Sequence, residues 1–409
     1  MFGLFTSEQR RARRDAQNWL HVADKVFHFR RDELRAEESQ PLLQAAAELK
    51  SRLADRADAA RLKIAMERLE GCLRRSGGAY YPKSTLVDYA EFFLVAAILF
   101  LGIRAFFVQP FKIPTNSMWP SYYGMTAEVF AAPDEEPGSI GRVARLLAFG
   151  ASARRVDAPV SGEVRIPVVA TGNGKFEAQF QKVSVRRWFV LPAPGKEYTL
   201  YVGSTPVHVR VPADFAFEPV LQAAFPDVKL AGRSVGRIML DTGKTVRAGE
   251  RVLSFDIMTG DQLFVDRVSY HFVRPSVGDG FVFRTGRIRG IEVPGAFTDK
   301  FYIKRLVGVP GDTLEIREPV LVRNGEPIDG SEAFGHNAAQ SDGFKGYVNR
   351  GLLDAGLEVR VPDDSFFALG DNSPNSSDSR YWGFVPSQDV VGRPLFIYYP
   401  FTRRWGIPP

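Results

Sequence analysis

Residues 92–121 read FFLVAAILFLGIRAFFVQPFKIPTNSMWPS, and this stretch sets how the rest of the chain is read. Its first seventeen residues, 92–108, are apolar except for Arg104. At ~1.5 Å per residue they span roughly 25 Å, slightly less than a ~30 Å hydrocarbon core. The lead-in Tyr89-Ala90-Glu91 and the reach of Arg104 towards the interface make up the difference. Length and hydropathy therefore predict a transmembrane helix over 86–109, with a buried core helix as the alternative. Some 90 residues precede the run, so by position it is not expected to be a secretory leader. Directly after it, Pro110, Pro114 and Pro120 bracket Thr115-Asn116-Ser117-Met118. Prolines hold an extended path, so Ser117 is expected on a stiff loop at the membrane surface, either as a turn residue or as a nucleophile.

The chain on either side differs in texture. Residues 1–83 hold 17 Lys and Arg against 12 Asp and Glu, which favours an N-terminus on the cytoplasmic side. Residues 1–85 are expected to be helical. Leu42, Ala46, Leu49, Leu53 and Ala60 form one apolar stripe, Pro41 looks like the first residue of a second helix, and Gly77-Gly78 ends it. A helical hairpin is the expected result. Phe2, Leu4 and Phe5, beside Arg10, Arg11, Arg13 and Arg14, read as a tip able to touch an anionic membrane surface.

Beyond residue 125 glycine and proline become frequent and apolar runs short, as in RIPVVA, YTLYVG and VHVRV. These are strands with turn punctuation. From about 252 strands dominate again, interrupted by a long polar stretch at 328–350.

The 409 residues, 45% hydrophobic and 24% charged, exclude a disordered chain. One cysteine, Cys72, excludes a disulfide framework and a cysteine-rich zinc site. The histidines at 21, 28, 208, 271 and 336 lack metal-site spacing, so no metal and no cofactor are expected. A net charge of +6 does not point to nucleic acid.

Two further segments carry chemistry. In FYIKRLVGVPGDTLEI, 301–316, strand alternation sends Lys304 and Arg305 to opposite faces, so one of them must meet the packed side. In FFALGDNSPNSSDSRYWGFVP, 366–386, Asp371, Asp378 and Arg380 lie among hydroxyl and amide side chains, with Tyr381, Trp382 and Phe384 indicating a packed loop. No G-x-S-x-G elbow surrounds Ser117, and no histidine has a supporting motif. A serine nucleophile needs a base, and a lysine lowered by burial from ~10.4 towards ~7–8 is the economical one.

Together the segments resemble the type I signal (leader) peptidases, membrane-anchored Ser-Lys peptidases that remove signal peptides from exported proteins. QPFKIPTNSM resembles the nucleophile box, TGDQLFVDRVSYHFVRPSVGDGFVFR (259–284) the next, YIKRLVGVPGD the lysine box and GDNSPNSSDSRYWGFVP the last, in family order. The resemblance implies a mainly β signal-peptidase-like catalytic domain over 110–125 and 252–409, interrupted by an inserted β-rich domain at 126–251. It implies Ser117 as nucleophile, Lys304 as general base, and an oxyanion hole from the Ser117 N–H helped by Thr115. By the same resemblance Ser376 orients the lysine and Asp378 with Arg380 braces the site. Phe111, Ile113, Met118, Tyr302 and Ile303 then line pockets for Ala-X-Ala sites in signal-peptide-bearing preproteins. It also implies a single-pass protein of the cytoplasmic membrane, in contact with lipid, with an extracytoplasmic catalytic domain. Asn116 departs from the family's common glycine, and Ser373-Pro374 from a more charged pair. The insertion is expected to dock or shield over the cleft and leaves room for a partner of its own. Other readings are a membrane-tethered scaffold impaired in catalysis, a Ser-Lys processing peptidase for a dedicated substrate, and a self-cleaving repressor with the same dyad, which the anchor disfavours.

Overall fold

The computed structural model describes residues 8–170, 176–187, 191–234, 237–291 and 300–408. Phe2, Leu4 and Phe5 lie outside the described residues. The chain divides into two compact units, residues 1–101 and 102–409.

The first unit is helical. α1 (Glu8–Arg30), α2 (Ala36–Ala54) and α3 (Ala59–Ser76) pack around one apolar seam containing Leu42, Leu49, Leu62, Leu69 and Leu73. Each fully buried leucine contributes roughly 1.5–3 kcal/mol. Three helices form where a hairpin was expected. Arg56 takes a positive φ of 52°, and the Asp58 carboxylate accepts from the Arg61 N–H at 2.8 Å, so one helix stops and another starts. Pro41 does not begin α2. The helix starts five residues earlier, with Glu37 and Glu38 in its first turn and the Glu38 carboxylate accepting from the Arg35 N–H.

α4 (Thr85–Phe106) begins in this unit. It is the one helix among the described residues long and apolar enough to cross a membrane, and none of it is buried within the protein.

The second unit is β-rich. Its central sheet is antiparallel, in the order Val108–Lys112, Gln262–Asp266, Val390–Tyr399, Gly280–Arg284, Phe301–Gly308, Ser365–Leu369 and Val385–Pro386. The strand that follows α4 pairs with one some 150 residues later, Phe111 opposite Leu263. The chain between them makes two more sheets. One holds seven strands between Gly162 and Val246. The other is three-stranded, with Arg251–Met258 between Thr126–Val129 and Ser152–Asp157. VHVRV folds as its alternation dictates: Val209 and Val211 are buried, His208 and Arg210 are not. These strands share a core built on Tyr198, Phe215, Phe217 and Phe255. Arg251–Met258 belongs to this core and, among the described residues, pairs with the strands Thr126–Val129 and Ser152–Asp157. The polar stretch at 328–350 contains a helix, Glu332–Ala339, capped by the Ser331 hydroxyl.

Candidate active site

Ser117 sits in a single helical turn, Asn116–Met118, which follows the edge strand Val108–Lys112 and packs on the interior strand Phe301–Gly308. Several contacts fix that turn. The Asn116 side chain accepts from the Gly124 N–H at 2.9 Å and donates to the Met125 carbonyl at 3.1 Å, drawing the loop closed. An amide can clip this loop at both ends, and a glycine there could not. From the other side Asn372 donates its N–H to the Ser117 carbonyl (3.1 Å) and its side-chain amide to the Asn116 carbonyl (3.0 Å). Gly370 makes the approach possible. A Cβ there would lie 2.1 Å from Ser376 Oγ and 2.4 Å from the Ser117 carbonyl oxygen.

Lys304 lies on the central strand Phe301–Gly308 and is 3% exposed. Its Nζ is 2.6 Å from Ser117 Oγ and 3.2 Å from Ser376 Oγ. Desolvation is the largest influence on it and pushes its pKa down from 10.5 to about 8. The carboxylates of Asp378 and Asp371 oppose that shift, and Arg380 adds to it. A lysine held near 8 is partly a free amine at neutral pH, and a free amine 2.6 Å from a hydroxyl can take its proton.

Arg305, the next residue, is 1% exposed on the opposite face of the strand. Both cations are therefore buried, where alternation alone required only one, because this strand is interior to the sheet and covered on both faces. The guanidinium binds Asp371 through two hydrogen bonds of 2.8 and 2.7 Å and donates to Ser121 Oγ, Ser331 Oγ and the Gly278 carbonyl. This network was not anticipated. Arg305 remains charged, its pKa raised by Asp371 against the cost of burial.

Asp378 and Arg380 form a second buried pair at 2.8 Å, both side chains fully enclosed. Asp378 also accepts from the Gly370 N–H (3.1 Å), and Arg380 donates to Ser373 Oγ and to the Ser373 and Val348 carbonyls. The loop carrying Ser376 and Asn372 is thereby tied to the glycine that lets Ser117 approach.

A cleft of about 870 Å³ opens beside the dyad. Phe111, Ile113, Tyr302 and Ile303 line it, as does exposed Thr115. Met118 does not. Its side chain is fully buried against Ile113, Tyr122 and Leu263, because the turn that presents Ser117 sends the next side chain into the core.

Residues 249–399 match the family model described as signal peptidase, peptidase S26. The chain is 38% identical over 147 residues to a probable signal peptidase I-1 of Synechocystis sp., covering 36% of this chain and 66% of that protein. It is 38% identical over 107 residues to signal peptidase I S of Bacillus subtilis, covering 26% of this chain and 55% of that protein. An inactive signal peptidase IA of Staphylococcus aureus is 26% identical over 148 residues, 36% of this chain and 74% of that protein. The chain thus spans under two thirds of the length of the first two relatives. A solved signal peptidase I of Enterococcus faecalis matches at 28% identity over 30% of this chain and 97% of its own, with a TM-score of 0.23 that carries nothing about the whole fold. The family match contains Lys304, Ser376, Asp378 and Arg380 but begins after Ser117. The serine reaches the lysine through the pairing of Val108–Lys112 with Gln262–Asp266.

Proposed function

We propose that this chain, which carries a peptidase S26 domain, is a type I signal peptidase that cuts signal peptides from exported preproteins with Ser117 as nucleophile and Lys304 as general base. The observation that carries the reading is the 2.6 Å separation of Ser117 Oγ from the Nζ of a buried lysine whose pKa is pushed down to about 8. Family likeness alone does not decide activity, since one relative is named inactive.

Neutral Lys304 takes the Ser117 proton as Oγ attacks the scissile carbonyl carbon. The Ser117 N–H and the Thr115 hydroxyl receive the developing oxyanion. Protonated Lys304 passes its proton to the departing amine, which leaves as the mature N-terminus, with the signal peptide held as an ester on Ser117. Water then attacks the ester while Lys304 takes its proton, and Ser117 leaves with that proton. Ser376 holds Nζ on line, and the Asp378–Arg380 pair holds the Ser376 loop. The apolar walls at Phe111, Ile113, Tyr302 and Ile303 suit small side chains in an extended peptide.

The same reading makes α4 the membrane anchor, with the Lys- and Arg-rich residues 1–83 cytoplasmic and the second unit extracytoplasmic. It takes 110–125 and 252–409 as the catalytic domain and 126–251 as an insertion.

Detergent-solubilised protein incubated with a preprotein bearing an Ala-X-Ala site tests it. Wild type is expected to release a product starting directly after that site, and folded Ser117→Ala and Lys304→Ala variants to release none. Wild-type inactivity on several preproteins would overturn the reading in favour of an impaired scaffold.

A further inference from the structure

The cleft has a wall that does not come from the catalytic strands. Asp214, Ala216 and Pro219, from the middle of the inserted region, line it together with Ser117 and Tyr302. The local sequence is Ala213-Asp-Phe-Ala-Phe-Glu-Pro219. Phe215 and Phe217 are 1% and 0% exposed, with ring centroids 6.2 and 5.8 Å from Phe255. Phe217 also lies 4.5 Å from Tyr198. The two phenylalanines are buried in the core while the residues that alternate with them, Asp214 before Phe215 and Ala216 between the two, are exposed on the cleft side. Pro219 lies in the helix Glu218–Ala224, which packs on the strand Thr126–Val129 just downstream of the Ser117 loop. The wall is therefore bolted to a core.

Among the described residues lining the cleft, Asp214 is the one carboxylate, and Lys112 and Lys300 are the exposed cations. Asp214 acts electrostatically on Tyr302: after burial, its carboxylate is the influence that raises the Tyr302 phenol. Tyr302 precedes Lys304 by two residues and shares its face of the strand. A peptide lying extended along that strand brings one side chain near Asp214 and Tyr302.

We propose that Asp214 is a specificity-determining residue, favouring Lys or Arg and disfavouring Asp or Glu at the one substrate position whose side chain meets the 213–219 wall. The proposal rests on the reading of the cleft as a peptide-cleaving site. An exposed charge pair of this kind gives a preference of about two- to fivefold at low salt.

The test uses full-length protein in detergent and peptides with an Ala-X-Ala site carrying Lys or Glu at each flanking position in turn. Two readouts are taken: kcat/KM with active protein, and Kd with Ser117→Ala protein, which binds without cutting. The expected result is a Lys-over-Glu ratio of about two- to fivefold at one position in both readouts. That ratio is expected to vanish in Asp214→Asn, to invert in Asp214→Lys, and to shrink as salt rises. A structural role for Asp214 would not move a charge-specific ratio. An Asp214→Asn ratio equal to that of the unsubstituted protein overturns the proposal. If no peptide is cut but Ser117→Ala keeps a preference that Asp214→Asn removes, the peptidase reading falls and the Asp214 assignment stands. Cleavage without discrimination gives the converse, and neither binding nor cleavage removes both.

Discussion

Lys304 and Arg305 are neighbours on one strand, both buried on opposite faces, and the protein treats them in opposite ways. Arg305 is matched by Asp371 at 2.7 Å and stays charged. Lys304 is met by two hydroxyls and pushed down to about 8. One cation is neutralised by a partner and the other is driven towards losing its proton.

The Arg305–Asp371 pair leads to a prediction about folding. Asp371→Asn leaves a buried guanidinium without its anion, an error that costs about 3–5 kcal/mol. Asp371 also accepts from Ser121 Oγ and directly precedes Asn372, which holds the Ser117 turn. Denaturant unfolding in detergent is expected to show that loss, with catalysis falling alongside it.

Lys304 leads to the opposite outcome. Its folded pKa, about 8, lies below the unfolded value of 10.5. Below about pH 8 the fold carries the full penalty of a buried ammonium, about 3 kcal/mol at ~1.36 kcal/mol per unit. The penalty fades as pH rises from 8 towards 10.5. Lys304→Met is expected to abolish cleavage yet unfold later than wild type at pH 7, by about 1–3 kcal/mol, with the gap closing near pH 10.

Gly370 separates stability from function. A Cβ there meets Ser376 Oγ and the Ser117 carbonyl, so Gly370→Ala must move one loop or the other. A displacement of about 1 Å costs roughly 10²-fold in rate. The expected result is that loss in kcat for a protein that still folds, read by steady-state kinetics beside thermal unfolding.

The long apolar helix, the β-rich body and the two residues that meet at 2.6 Å, Ser117 and Lys304, were legible in the sequence because each leaves a local trace: a charge-free run, alternation, and boxes in family order. The rest depended on contacts between distant residues. Nothing near Arg305 announces Asp371, sixty-six residues away, as its partner. Met118 reads as a pocket residue until the turn at Asn116–Met118 aims it inward. The break between α2 and α3 had a signal in Asp58, an N-cap residue, that the apolar stripe running past it obscured. Asp214 has no motif at all, and it takes the burial of Phe215 and Phe217 and the lining of the cleft to show which way it faces.

The central claim is that Lys304, as a free amine, takes the proton of Ser117. The most direct measurement is the pH dependence of kcat/KM for one preprotein between about pH 5 and 10, with folding checked at each pH. Lys304 must be neutral to act, so the rate is expected to fall about tenfold per pH unit below an acid limb near pH 8, and to be nearly flat above it. A rate that holds unchanged down to about pH 5 would contradict a lysine base and the dyad built on it.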